Sequence, residues 1–287
     1  MFFLILAACA APGPPQPDQH ADAPAGTILD SAEGVPIEFE ELIARLAAVR
    51  IVYVGEQHTN PSHHAIQLRI IEALARRWDD TQVGMEMFAH TYQSRLDQWT
   101  AGQWDWPTFL KEVHWYANWK FDDTLYRDIL SFVQDRRLKL AGLNIPFDLP
   151  PKIAIGGIDR LLPRDRAMLP DRIDLSNADH RAYVQNIFEM HDFPGRGDFE
   201  NFYAAQCAWE DGMAQAIAER LGGSHMVVLA GNGHIVQKFG IPDRAFARIA
   251  EPFLTVYLAT PGEAPESGAA DFIWVAEPTP ASVSPHR

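Results

Sequence analysis

The stretch Gly55-Glu56-Gln57-His58-Thr59-Asn60-Pro61-Ser62-His63-His64 gathers a carboxylate, an amide and three imidazoles within ten residues. A second stretch, Gly231-Asn232-Gly233-His234, repeats the Gly-x-x-His spacing of Gly55 to His58. Glu86 lies in Val83-Gly84-Met85-Glu86-Met87-Phe88, and Asn144 follows the apolar run ending at Leu143. Two imidazoles and two carboxylates, His58, His234, Glu56 and Glu86, suit a divalent ion such as zinc, manganese or iron. Such an ion would polarise a carbonyl and lower the pKa of bound water, with one glutamate left as base. His63, His64, Gln67, Asn144 and Asn232 are the candidates for substrate contact. The bland alternative is a polar loop with incidental histidines. Unpaired Glu and His at a strand end destabilise a fold unless they serve a function, which favours a site.

The surrounding pattern supplies the elements that must aim these groups. Ile51-Val52-Tyr53-Val54 is a β-branched apolar run that reads as a buried strand. Asn60-Pro61 opens a helix that runs to about Trp78, with Asn as N-cap and Pro at the first position. Ile66, Ile70 and Leu74 give it an apolar stripe. Further strands are expected at 83–88, 139–143, 226–230, 253–259 and 272–275, with a small hairpin at 27–37 and a helix from Phe39 to Ala48. Residues 91–137 read as helical throughout, and 150–221 as mostly helical, interrupted at Pro163, Pro170 and Pro194-Gly195. The fold class is therefore α/β: a mainly parallel sheet flanked by helices, with the two insertions capping the carboxyl ends of the strands. In such sheets ligands bind beyond those ends. Glu56, His58, Glu86, Asn144, Asn232 and His234 all fall at or just past strand exits.

The chain has 287 residues, 47% of them hydrophobic, enough for a large core. A formal net charge of −14 excludes a nucleic-acid partner, because phosphate binding needs basic patches. Only Cys9 and Cys207 occur, so there is no disulfide framework; Cys207 reads as a small buried residue on a helix. Leu6-Ala7-Ala8-Cys9 looks like a bacterial lipobox, which implies cleavage before Cys9 and lipid attachment to its thiol. The apolar leader is short and has no Lys or Arg before it, so the true start is expected upstream. Residues 1–9 are then a signal segment, 10–26 a Pro- and Ala-rich disordered tether, 27–277 a single domain, and 278–287 a flexible tail. No later run is long enough to span a bilayer.

Aromatic residues crowd two spans. One holds Trp99, Trp104, Trp106, Trp115, Tyr116, Trp119 and Phe121; the other holds Phe193, Phe199, Phe202, Tyr203 and Trp209. Packing between helices is the first reading. A surface for a flat apolar ligand such as a porphyrin is the second, with Tyr183, Tyr203, Met190 and His191 as candidate axial ligands.

Gly55-Glu56-Gln57-His58-Thr59-Asn60-x-x-His63-His64, Gly84-Met85-Glu86-Met87-Phe88, Leu143-Asn144-Ile145-Pro146, Ala230-Gly231-Asn232-Gly233-His234 and Gly240-Ile241-Pro242 together resemble the ChaN-like lipoproteins of the haem-uptake and Tiki superfamily. The likeness runs from about Thr27 to Ala259. It implies haem as ligand, a role in haem and iron acquisition, and a lipid anchor at the bacterial outer membrane. The domain would then sit in the periplasm or at the cell surface. The Tiki relatives, which are metal-dependent proteases, and the erythromycin esterases imply the alternative, a hydrolase using Glu56, His58, Glu86 and His234. One superfamily holds binders and hydrolases, so the resemblance leaves both open. The oligomeric state, a homodimer among the options, is open too.

Overall fold

A computed structural model of the chain describes residues 23–190, 197–263, 265 and 268–278. Cys9, His191, Phe193 and Pro194-Gly195, with most of the expected tether and tail, lie outside the described residues. Eight strands form one sheet: β1 (Ile28–Asp30), β2 (Val35–Ile37), β3 (Ile51–Val54), β4 (Thr81–Ala89), β5 (Lys139–Asn144), β6 (His225–Leu229), β7 (Phe253–Ala259) and β8 (Phe272–Val275). Their order is β2-β1-β8-β7-β3-β6-β4-β5. Every pair from β8 to β5 is parallel, and β1 adds an antiparallel edge, pairing with both β8 and β2. This is the expected α/β sheet.

The central strands are apolar without alternation because both faces are covered. Val52 and Val54 point into a core shared with Ile66, Ile70 and Leu74 of the Pro61–Ala75 helix. Ile51 and Tyr53 point the other way, against Met213, Ala214 and Ile217 of the long Phe199–Leu221 helix. Asn60 caps the first of these helices as expected, its side chain accepting from the Ser62 N–H at 3.0 Å. Cys207 is fully buried on the long helix.

Residues 91–137 are not one continuous helix. They break into Gln93–Thr100, Trp106–Glu112, Trp115–Asn118 and Arg127–Asp135. The breaks have local causes. Gly102, His114 and Lys120 adopt positive φ, while Asp105 and Asp122 cap new turns. Periodic apolar residues alone do not reveal such interruptions. Within this insertion the aromatic residues mostly pack as core. Trp99 stacks on Phe109 with ring centroids 4.3 Å apart, and Trp115 and Trp119 join the same cluster as Ile66 and Ile70.

Two features of the sheet place the chemistry. First, β6 lies between β3 and β4, so its exit at Gly231 to His234 falls between the exits carrying Glu56 and Glu86. Second, β4 bulges against β5: Met85 pairs with Gly142 but Ala89 with Asn144, leaving Glu86 just past the last residue paired to β6. A bulge re-aims a side chain at the end of a ladder, and Asn144 supports it by donating to the Glu86 carbonyl at 2.8 Å.

Close packing of the long helix on the loop after β5 generates a stability prediction. A Cβ on Gly212 would come 2.2 Å from Ile145 Cγ2. Helix propensity favours Ala over Gly by about 1 kcal/mol, but overpacking a tight core costs about 1–3 kcal/mol. Gly212→Ala should therefore be neutral to destabilising by up to roughly 2 kcal/mol in denaturant unfolding. A clear gain in stability would show that this contact yields easily.

Candidate functional site

Glu56 is buried just beyond β3 and is met by donors from three elements. Tyr126 donates to Oε1 at 2.6 Å and Gln67 to Oε2 at 2.9 Å. His58 Nδ1 lies 2.8 Å from Oε1, and His64 Nδ1 lies 3.5 Å from Oε2. A carboxylate out of water requires this degree of satisfaction. The His58 ring is also wedged by Trp119 and Phe121, with centroids at 4.8 and 5.1 Å. His64 and Gln67 thus buttress Glu56, and His64 Nε2 lies 3.1 Å from the His58 carbonyl. His63 turns away, accepting from the Gln57 N–H at 2.9 Å. Burial, with His64 beside it, pushes the His63 imidazole down to about 4, so it is a neutral structural staple.

Glu86 is wholly buried and accepts from the Gly231 N–H at 2.7 Å through Oε2. Its Oε1 faces His234 Nε2 at 3.4 Å. The other His234 nitrogen, Nδ1, faces Glu210 Oε1 at 3.2 Å. With a carboxylate at each nitrogen, both carry protons. Gly231 is required here, because a Cβ would come within 2.9 Å of His58 Cε1. Asn144 and Asn232 are framework residues. Asn232 donates to the Leu258 carbonyl at 2.8 Å, tying the β6 exit to β7.

His58 and His234 border one cavity of about 230 Å³, together with Gly231, Gly233 and Gln206. Tyr183, Val184 and Ile187 of the Ala178–Met190 helix, with Phe202, form its apolar wall. A larger cavity of about 470 Å³ is bordered by Arg172, Asp211 and Arg244, and includes none of Glu56, His58, Glu86, Asn144, Asn232 and His234.

The electrostatics follow from the pairing. Burial opposes charge on His234, but Glu86 and Glu210 outweigh it and hold its pKa up to about 10. Burial likewise opposes charge on His58, and Glu56 and Glu86 raise it above its ordinary value. Burial alone would raise Glu86, but His234, His58 and the Gly231 N–H bring it below the usual carboxylate range.

The expected single-ion arrangement of Glu56, His58, Glu86 and His234 is not found. Among the described residues no group of three or more His, Cys, Asp or Glu is arranged to hold a metal ion. The reason is local: Glu56 spends both oxygens on N–H and O–H donors, Glu86 Oε2 takes the Gly231 N–H while its Oε1 has only the 3.4 Å contact with His234, and three of the four imidazole nitrogens face carboxylates. Sequence reading missed Tyr126, Gln206, Glu210 and His180. Only Glu210-Asp211, an acidic pair inside an otherwise Ala-rich helix, carried a visible signal.

A family model described as haem-binding uptake, Tiki superfamily, ChaN matches residues 42–245. The chain belongs to this family. All the strand exits above fall within the matched residues. No curated protein matches the chain. Among solved structures, ChaN of Campylobacter jejuni with cofacially bound haem is 19% identical, covers 88% of this chain and 96% of its own, and has a TM-score of 0.70. An erythromycin esterase mutant in its open conformation is 14% identical over 82% of this chain and 76% of its own, at a TM-score of 0.49. The first likeness is one of fold; the second carries no argument.

The paired charges have a definite pH signature. His58 and His234 have folded pKa values above the ordinary 6.5. Their contribution to stability is complete below pH 6.5 and is lost as pH rises through the folded values, to about 10 for His234. Glu86, depressed below 4.5, contributes above that pH and loses its share as pH falls through its folded value. Glu56→Gln should lower the His58 pKa in an NMR titration, because burial then acts with less opposition. An unchanged His58 titration would mean that Glu56 does not hold that proton.

Proposed function

We propose that this protein binds haem at the cavity walled by the Ala178–Met190 helix and serves haem and iron acquisition. The observation that carries this reading is the juxtaposition of a phenol and an apolar wall with a polar floor at the strand exits. Family membership supports it. Of the four candidate axial ligands, Tyr183 borders the cavity. Tyr203 is buried and donates to the Asn177 carbonyl at 3.2 Å, and Met190 lies on the outer surface. The residues fit the group: Tyr183 would hold the iron, which accepts phenolate ligands when haem is bound, and Val184, Ile187 and Phe202 would line the porphyrin. A cavity of about 230 Å³ is below the roughly 300–1,000 Å³ that encloses a drug-sized ligand, so a seated porphyrin keeps one face outward. The Campylobacter protein is described as binding haem cofacially, an arrangement that covers such a face. A homodimer of this chain would bring two outward faces together in the same way.

Hemin added to the purified protein should give a saturable, shifted Soret band. Tyr183→Phe should weaken binding by roughly 10-fold or more and change the ferric spectrum. An unsaturable titration would remove this reading and promote a second one. There the Glu56–His58 pair acts as a general base at the cavity edge, with His58 taking a proton from water and Glu56 steadying the imidazolium. Ester hydrolysis lost in His58→Ala would then be the expected signature.

The finer placement is a lipid-anchored protein of the bacterial outer membrane, tethered through Cys9. The support is the Leu6-Ala7-Ala8-Cys9 pattern ahead of a Pro- and Ala-rich stretch. Among the described residues no helix is long and apolar enough to cross a membrane. Cys9→Ala should therefore move the protein from the membrane fraction to the soluble periplasm. Retention in membranes after a high-salt wash would mean that another anchor operates.

A further inference from the structure

Glu210 sits mid-way along the Phe199–Leu221 helix and is fully buried, yet none of the strand-exit chemistry was expected to involve it. A buried carboxylate must be met by donors. Groups from four different elements face it, as hydrogen-bond partners at Oε1 and as ion-pair contacts without a hydrogen bond at Oε2. Gln206 Nε2, one turn back on its own helix, donates to Oε1 at 2.7 Å. His234 Nδ1, from the β6 exit, lies 3.2 Å from the same oxygen. His180 Nε2, from the Ala178–Met190 helix, lies 3.2 Å from Oε2. Arg244 Nε, from the Ile241–Ile249 helix, lies 3.4 Å from Oε2. The packing leaves no slack on the remaining side: a Cβ on Gly240 would lie 3.0 Å from Glu210 Oε1 and 2.2 Å from the His234 carbonyl oxygen.

The Ala178–Met190 helix also packs on the long helix, through Val184 against Tyr203 and Cys207, Phe188 against Phe199 and Phe202, and Arg181 paired with Glu200, and Arg244 Nη2 lies 3.3 Å from His180 Nδ1. Of its 13 residues only His180 and Val184 are buried. The helix nevertheless supplies Tyr183, Val184 and Ile187 to the cavity wall, while His234 belongs to the cavity floor. One carboxylate therefore touches both sides of the site through one histidine each.

We propose that Glu210 is a positioning residue that sets both walls of the cavity, holding the Tyr183-bearing helix through His180 and the floor through His234. Its relevance to ligand binding rests on the haem reading above; the mechanical tie does not. Glu210→Gln keeps the side-chain shape and removes the charge that both imidazoles face. In hydrogen exchange on the haem-free protein, amides of residues 178–190 should exchange about 10- to 100-fold faster, the scale of one lost hydrogen bond to a charged group. Those of the Pro61–Ala75 helix should not change. In hemin titration, Glu210→Gln should weaken binding by about 10- to 100-fold, as loss of a partner behind a metal ligand does. The same change placed on Tyr183→Phe should weaken binding less than it does in the wild type, since the part that acts through Tyr183 is already lost.

Equal weakening in both backgrounds, or exchange accelerated uniformly across the fold, would make Glu210 a general stability residue and overturn the proposal. If wild-type protein does not bind hemin, the haem reading falls, and the exchange measurement alone decides the tie. Should Glu210→Gln fail to fold, His180→Leu removes the same link from the other side. It should likewise speed exchange in residues 178–190, and unchanged exchange there would refute the link.

Discussion

A carboxylate removed from water must be surrounded by donors or give up its charge, and this constraint organises the strand-exit region. Glu56, Glu86 and Glu210 are all buried there. None is matched by a single partner. Glu56 gathers Tyr126, Gln67, His58 and His64; Glu86 gathers the Gly231 N–H and His234; Glu210 gathers Gln206, His180, His234 and Arg244. Because those partners come from insertions, helices and loops distant in sequence, satisfying the acids locks the cap onto the sheet.

Strand order makes this possible. β6 enters between β3 and β4 although it follows them by a long excursion. Its exit therefore falls between two acidic exits, and Gly231 is bare enough to let His58 and Glu86 close around it. Parallel strands put all these ends on one edge. The bulge in β4 then turns Glu86 into the gap instead of along the ladder.

The outcome is a site with two characters. Its floor is a set of buried histidine–carboxylate pairs. Its wall is a lightly buried helix offering a phenol and aliphatic side chains. A firm polar floor under an apolar wall suits a large flat ligand with a metal centre of its own, in keeping with membership of the haem-binding uptake family.

Much of the frame was legible from local pattern. The apolar runs at β3, β6 and β7, the Asn60-Pro61 helix start and the repeated Gly-x-x-His located the strands and their exits, because burial on both faces and helix capping leave marks on adjacent residues. The polar residues brought to those exits, Glu56, His58, Glu86 and His234, were legible for the same reason. Their relation to one another was not. Four ligand-type side chains suit a shared ion, and only the tertiary structure shows Glu56 supplied with N–H and O–H donors and Glu86 held by the Gly231 N–H. Tyr126 lies 70 positions after Glu56, and His180 and Glu210 lie 54 and 24 positions before His234. No periodicity or spacing connects such positions. Hydrogen bonds between residues remote in sequence are decided by how helices pack on the sheet, and that packing depends on the whole core at once.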